Sequence, residues 1–477
     1  MKRKFLTNLT LLIILNLLVK PFWVLGIDLT VQNTVGAGEY GFYFSLLSFS
    51  LLLNIIQDIG IASFNSRNIA RDHNLLPGLL PNIINLKLLL ALAYFVASLS
   101  IAYLLGYTAV QVNLLVILLF NQFLNSLNIY LRSNISGLQL FRTDSLLSVT
   151  DRLLMIVICS VLLWGNVTGS TFRIEWFVYA QTAAYFMTTI IIVVILLKYV
   201  AFSELRLDFS VTRKMLKQSY PYALLGLMMV LYYRTDSVML ERMLSDGMLQ
   251  AGIYAQGFRI LDAASMLGFL FAGILLPMFS RMIKQDEPVG QLFRFSFMLL
   301  IIPAVTGAVA LNFYSFEVMD LLYREHTAES SVVFGYLMVS FVFVSCSIIS
   351  GTLLTANGNI RYLNIIAAFS VLLNIGLNLL LIPRYQAQGS ALASMVTQSF
   401  AAMLQLALVM KLFNLIPSGK FIIRFAVFLL TLISAGALSR AMVPGPVTGF
   451  VITTAAGLVT AVLVKLISLR EIRGALL

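Results

Sequence analysis

The sequence predicts an all-α polytopic membrane protein of about fourteen transmembrane helices, built as two parallel six-helix repeats, two lobes around a central cavity, with a further C-terminal helix pair. Three observations lead there. Sixty per cent of the 477 residues are hydrophobic and eleven per cent charged, with a mean hydropathy of +0.94, whereas a soluble domain carries about a quarter charged residues. Fourteen runs have the length and apolar character for a helix of about 20 residues to cross a hydrocarbon core of about 30 Å, and their continuous rather than alternating pattern excludes a β-barrel. Slid along itself by 214 residues, the chain matches Ala37-Gly38-Glu39-Tyr40 to Ala251-Gly252-Ile253-Tyr254 and Ser66-Arg67-Asn68-Ile69 to Ser280-Arg281-Met282-Ile283, with twelve identities in the fifty-nine positions from Leu11 to Ile69. Roughly five are expected for a chain this rich in Leu.

The first six spans begin near Phe5, Tyr40, Ile83, Val110, Leu146 and Trp176. The basic Met1-Lys2-Arg3-Lys4 before the first resembles a signal peptide, but no small-x-small cleavage site follows and Lys20-Pro21 interrupts the run, so it reads as an uncleaved span. Six more begin near Tyr220, Tyr254, Leu292, Ser331, Tyr362 and Ala391, and the final pair near Phe421 and Val447, on either side of Val443-Pro444-Gly445-Pro446. Because six spans separate the matched segments, both halves enter the membrane in the same direction, and the repeats are related by an axis along the membrane normal. The expected division is an N-lobe over residues 1–200, a C-lobe over 201–415 and the added pair over 416–477.

Charge sets the orientation. With the N-terminus in the cytoplasm, the inside connections hold 24 Lys and Arg and the exterior ones five, Arg173, Arg242, Arg324, Arg384 and Arg440. This asymmetry places both termini inside. The basic connection from Lys198 to Lys217 is then a cytoplasmic linker between lobes, and the net charge of +12 is accounted for without nucleic acid.

Three cations remain within spans: Lys20, Arg234 and Arg259. At 1.5 Å per residue Lys20 lies roughly 22 Å from the inner face, Arg234 at the same depth in the seventh span, and Arg259 roughly 8 Å from the outer boundary in the eighth. Asp236 and Asp262 occupy the same level, as candidates for charge pairing or for Na⁺ or H⁺ coupling. Arg259 and Asp262, spaced i, i+3, can pair on one helix face, whereas Arg234 and Asp236 point apart. Two readings stay open: interhelix ion pairs, or a cavity whose surplus positive charge binds an anion such as phosphate. Asn121, Asn125, Asn128 and Arg132 form a polar stripe on the fourth span, and Asn374 and Asn378 repeat the i, i+4 spacing on the eleventh. Such amides serve interhelical hydrogen bonds as well as they serve a sugar-lined cavity. Pro21 and Pro303 lie within spans and favour bends, the first directly beside Lys20.

Other functions lack their residues. His73 and His326 are isolated, Cys159 and Cys346 read as buried core thiols, and the sequence has no metal-ligand cluster, phosphate-cradling loop or nucleophile constellation. No cofactor is expected, and no exterior connection exceeds roughly twenty residues, the longest lying near Asn312 to Ser330.

Gly36-Ala37-Gly38-Glu39-Tyr40-Gly41, Asp58-Ile59-Gly60-Ile61, the basic stretch Arg67 to Arg71, Ala356-Asn357-Gly358-Asn359-Ile360-Arg361, and Ile382-Pro383-Arg384-Tyr385 with Gly389-Ser390-Ala391 resemble the polysaccharide and O-antigen flippases of the multidrug/oligosaccharidyl-lipid/polysaccharide exporter superfamily. The resemblance implies a non-enzymatic protein of the bacterial inner membrane that moves an undecaprenyl-pyrophosphate-linked oligosaccharide from the cytoplasmic to the outer leaflet by alternating access. It implies membrane lipids and glycan polymerase or other assembly proteins as partners, and Lys20, with Arg234 and Arg259, as cavity cations. Helix one offers Lys where Arg would grip a pyrophosphate bidentately. The alternatives are a peptidoglycan-precursor flippase, a cation-coupled multidrug antiporter, which a positive cavity disfavours, and a glycan polymerase or ligase, which would present a large exterior loop.

Overall fold

The structure, a computed structural model, describes residues 15–16, 18–165, 169, 171–200 and 209–466. The start of the first span at Phe5, the basic N-terminus and residues 201–208 of the central connection lie outside the described residues.

The described chain is helical throughout. The first helix carries Lys20 and Pro21, passes through a π-helical turn over Trp23–Asp28, and continues as α1, Leu29–Leu52, which is broken at Gly36 (φ 84°, ψ 165°). The break divides the first two predicted spans, and the π-turn begins two residues after Pro21. There follow α2 (Ile61–Arg71), α3 (Leu76–Leu104), α4 (Ala109–Gly137), α5 (Phe141–Trp164), α6 (Ile174–Leu196), α7 (Phe209–Met243) and α8 (Gly247–Lys284). The remainder are α9 (Gly290–Phe313), the short α10 (Ser315–Leu322), α11 (Thr327–Ala356), α12 (Ile360–Phe413), α13 (Gly419–Met442) and α14 (Pro446–Leu463). Among the described residues eleven helices are long and apolar enough to cross a membrane. One is α12, whose 54 residues hold two predicted spans, separated at Gln386 (φ 51°) three residues after Pro383. Pro303, by contrast, sits inside an uninterrupted α9.

The chain forms two compact units, residues 1–242 with 246–252, and residues 243–245 with 253–477. In the first, α4 is the central helix and packs against α1, α2, α3, α5 and α6. A capping box starts it: the Thr108 side chain accepts from the Gln111 backbone and the Gln111 side chain accepts from the Thr108 N–H. The two copies of the duplicated Ala-Gly motif meet inside this unit. A Cβ on Gly252 would overlap the Ala37 carbonyl and one on Gly41 would overlap the Met248 carbonyl, and the Gln32 amide donates to the Gly252 carbonyl at 3.2 Å. α7 also belongs here. Its last turn is held by Gln111, which donates to Glu241 at 2.7 Å, and by Arg242, which pairs with Glu241, donates to the Leu105 carbonyl and stands 4.2 Å above the Tyr107 ring. Burial, with the Glu241 carboxylate adding to it and Arg242 opposing, raises the Tyr107 hydroxyl well above the usual tyrosine range, so this ring stays neutral.

In the second unit α11 packs on α12 and α9, while α13 and α14 pack on each other and on α9. Tyr314, Ser439 and Thr453 form a hydrogen-bonded chain of 2.9 and 2.8 Å, and Arg440 pairs with Glu317. The terminal pair is therefore docked by polar ties as well as by the apolar cluster of Ile301, Ile302, Phe428, Leu432 and Ala461.

Many of the cations counted above with the inside connections lie within helices. Among them Lys87 is in α3 and Arg152 in α5, each about three turns past the helix start at Leu76 and Phe141.

Candidate functional site

The predicted residues divide between the units. Lys20, Arg234 and Asp236 belong to the first, Arg259 and Asp262 to the second. Asp236 is fully buried, whereas Arg234, Arg259 and Asp262 are half-buried. All four are engaged within the protein.

The asparagine stripe separates into two roles. Asn121 donates to the Val178 carbonyl and accepts from Thr182 at 2.7 Å, and one heptad later Asn128 donates to the Tyr185 carbonyl and accepts from Thr189 at 2.8 Å. These two amides form a ladder between α4 and α6, buried to 1% and 5% exposure, so the interhelical role accounts for them and a sugar contact does not. The same holds for Asn374 and Asn378, both fully buried. Asn378 donates to Asn374 and accepts from Ser390 at 2.9 Å, which ties the two halves of α12 across the break at Gln386. Asn125 differs: it is half-exposed and has no protein partner among the described residues. At 100° per residue it points about 40° away from Asn121, on an edge of α4 that continues through Ile129, Arg132 and Ser136 at spacings of four, three and four.

That edge leads to a cationic face within the first unit. Lys20 is half-buried, and the charges that bear on its ammonium are Arg152, Asp151 and Arg132. Arg152 stands between two rings, 5.7 Å from the Trp23 centroid and 5.9 Å from that of Tyr185, with Asp151 at 3.6 Å. Both distances fall within the reach of cation–π attraction, which fixes a planar guanidinium without neutralising it. Trp23 stacks on Phe177 (5.6 Å, interplanar angle 2°), and Phe177 meets Tyr43 edge-on. Gln181 donates to the Tyr43 hydroxyl at 2.7 Å, and Tyr40 donates to buried Asp28 at 2.8 Å. The π-turn thus sets Trp23 into an aromatic wall, and the wall carries Arg152 next to Lys20.

Arg152 escapes the sequence reading because the loop-charge pattern claims it for an inside connection. Lys87 was missed for the same reason but acts differently. Its ammonium is 1% exposed and is met by Asp58 at 2.9 Å, the Gln57 carbonyl at 2.7 Å and Ser126 at 2.8 Å. All three protons have acceptors, so Lys87 ties α3 to α4 and to the end of α1 and leaves no donor for a ligand.

Comparison with known proteins bears on this arrangement. The family described as "Polysaccharide biosynthesis protein" matches residues 5–283, and no curated protein matches the chain. Among solved structures it is similar to the lipid II flippase MurJ in an inward closed conformation (TM-score 0.69, 14% identity, covering 97% of this chain and 99% of that one). It is also similar to an inward-facing multidrug resistance MATE family transporter of the MOP superfamily (0.64, 15%, 85% and 94%). A third likeness is to a MOP superfamily transporter from Pyrococcus furiosus whose binding pocket is described as having reverse polarity (0.60, 14%, 86% and 95%). At these identities the likeness is one of fold.

Proposed function

The chain belongs to the polysaccharide biosynthesis protein family and has the fold of the MOP superfamily transporters, and from that premise we propose that it is a flippase for an undecaprenyl-pyrophosphate-linked oligosaccharide, such as an O-antigen or other surface polysaccharide repeat unit. It moves this substrate from the cytoplasmic to the outer leaflet of the inner membrane by alternating access of the lobes 1–200 and 201–415, with both termini cytoplasmic. The observation that carries the reading is Arg152, standing between the Trp23 and Tyr185 rings, with the charge of Lys20 close enough to bear on it. A guanidinium offers two parallel N–H donors to a pyrophosphate and an ammonium adds a point charge. Arg152 thereby supplies the bidentate grip that helix one, with Lys20, lacks.

Arg234 and Arg259 remain the proposed companions from the later helices, Asp236 and Asp262 the proposed sites of Na⁺ or H⁺ coupling or charge pairing, and Asn125 the proposed sugar contact. An inside-negative potential favours export of anions by about 2.3 kcal/mol per charge per 100 mV, so a doubly charged headgroup that crosses the full field gains roughly 4.6 kcal/mol.

The second reading is a flippase for a peptidoglycan lipid precursor, favoured by the near-complete overlap with the lipid II flippase MurJ. A multidrug antiporter for organic cations is disfavoured by the mutually acting positive charges of Arg152 and Lys20. Thermal stabilisation of the purified protein decides among them. Stabilisation by pyrophosphate-linked oligosaccharide and little by cationic drugs is expected; the reverse order would refute the proposal, and preference for the peptidoglycan precursor would select the second reading.

A further inference from the structure

A second cationic pocket lies in the first unit, away from Arg152 and Lys20. It is a cavity of about 530 Å³ between α2 and the facing ends of α4 and α5, within the range of small-ligand clefts, roughly 300–1,000 Å³. Its polar lining includes Ser66 and Arg67 from α2, Arg132, Ser133 and Ser136 from α4, and Asp144 from α5.

The walls are built rather than incidental. Asn65 donates to the Ser133 hydroxyl at 2.8 Å and to the Asn134 side chain at 3.0 Å, which pins α2 across the end of α4. Gly137 allows that approach, since a Cβ there would crowd the Ile69 side chain and the Ser66 carbonyl. Arg132 is held by Asp144: Nε donates to the carboxylate at 2.9 Å and Nη2 to the backbone carbonyl at 3.4 Å. Its Nη1 has no protein partner among the described residues, and neither do the half-exposed hydroxyls of Ser66 and Ser136. Two guanidinium groups against one carboxylate in the lining leave the pocket positive, the charge that suits an oxyanion.

We infer that this pocket is a loading site for the diphosphate of the lipid-linked substrate, occupied before the headgroup reaches Arg152 and Lys20. The inference rests on the flippase reading and on the orientation proposed with it, which puts this end of α4 at the cytoplasmic face. Arg132 joins the two sites. It lines the pocket and is also among the charges that bear on Lys20, and the exposed edge of α4 runs from Ser136 past Arg132 to Asn125. A diphosphate moving along that edge passes from one guanidinium to the next without losing all its donors at once.

The test uses the full-length protein carrying Ser136→Cys, with the native Cys159 and Cys346 both buried. Maleimide labelling of the new thiol is followed with inorganic pyrophosphate in phosphatidylcholine nanodiscs, and separately with phosphatidylglycerol as the lipid. Pyrophosphate is expected to slow labelling at least fivefold, Arg67→Gln to abolish that protection, and Lys20→Ala to keep it within twofold. Absence of protection, or protection that survives Arg67→Gln, overturns the inference, as does full protection by phosphatidylglycerol alone with nothing added by pyrophosphate. Equal labelling rates of Ser136→Cys with and without Arg67→Gln in the absence of ligand exclude a folding defect, and thermal stabilisation of the unlabelled wild-type protein by pyrophosphate gives an independent measure. Translocation of lipid-linked oligosaccharide in liposomes separates this inference from its premise. Loss of translocation in Arg152→Gln, together with wild-type rates in Arg67→Gln, removes the loading site and leaves the flippase; no translocation by the wild type removes the premise itself.

Discussion

Replacing Arg152 tests the central site directly. Its side chain is 29% exposed and its guanidinium lies at 5.7 and 5.9 Å from the Trp23 and Tyr185 centroids. Both are near the outer limit of useful cation–π distance, so each ring contributes about 0.5 kcal/mol rather than the ~2 kcal/mol of a desolvated pair. Hydrogen bonds to a charged group are worth about 1.5–3 kcal/mol. Arg152→Gln removes the charge and the two-pronged grip, and should weaken binding of a pyrophosphate-linked oligosaccharide by about 2–3 kcal/mol, or roughly 30- to 150-fold. Arg152→Lys keeps the charge but loses the planar fork and the ring contacts, and should fall between, at about 1–2 kcal/mol. The assay is equilibrium binding in nanodiscs, with thermal unfolding of the unliganded protein as control. Stability should change little, because the neighbouring Asp151 is partly exposed and its 3.6 Å pair with Arg152 is a weak one. Binding by Arg152→Gln within threefold of wild type would refute the assignment, and so would equal affinity of wild type and Arg152→Lys, since the site would then need only a point charge.

The two roles along the asparagine stripe predict opposite phenotypes. Asn128→Ala should destabilise the protein by about 0.5–1.5 kcal/mol through loss of the α4–α6 ties while ligand affinity stays unchanged, and Asn125→Ala should weaken affinity with stability unchanged; thermal unfolding and binding on the same samples would reveal any exchange of these effects. Lys87→Met leaves the Gln57 carbonyl with only the Ser126 hydroxyl at 3.4 Å, but Asp58 is 34% exposed and can hydrate, so the loss should sit near or below the ~3 kcal/mol end of the range for a broken buried pair. A shift of the unfolding midpoint no larger than that of a surface Lys substitution would contradict the tie assigned to it. Gly252→Val drives a side chain into the backbone of Ala37 and should cost at least about 1–3 kcal/mol or abolish folding, whereas Gly273→Val, at a position open beyond 4 Å, should be tolerated in the same assay.

Most of the fold was legible because a membrane forces it. A backbone with no water to bond must form helices, so uninterrupted apolar runs mark spans, and the break of α12 falls beside Pro383 where an N–H is missing. What was less legible is how far helices run past their apolar cores. α3 and α5 begin at Leu76 and Phe141, and this drew Lys87 and Arg152 into helices when the charge pattern had assigned them to loops. The stripe of asparagines was visible, but periodicity marks a face and not what covers it. A rotation of about 40° separates the partly exposed Asn125 from Asn121, locked to α6.

By itself the sequence determined the helical membrane architecture, the number of spans, the duplication and the addition of a terminal pair, since all of these follow from hydropathy and self-similarity along one chain. Only the tertiary structure decided which cations lie near one another. Arg152, held between the Trp23 and Tyr185 rings, bears electrostatically on Lys20, 132 residues away in the chain; Lys87 is satisfied by Asp58 and Ser126; and α7 is held to the first unit by Gln111 and Tyr107, far away in the chain. A buried charge is stable only with partners at hydrogen-bond distance, and which residues become partners is a property of packing, which linear spacing does not contain.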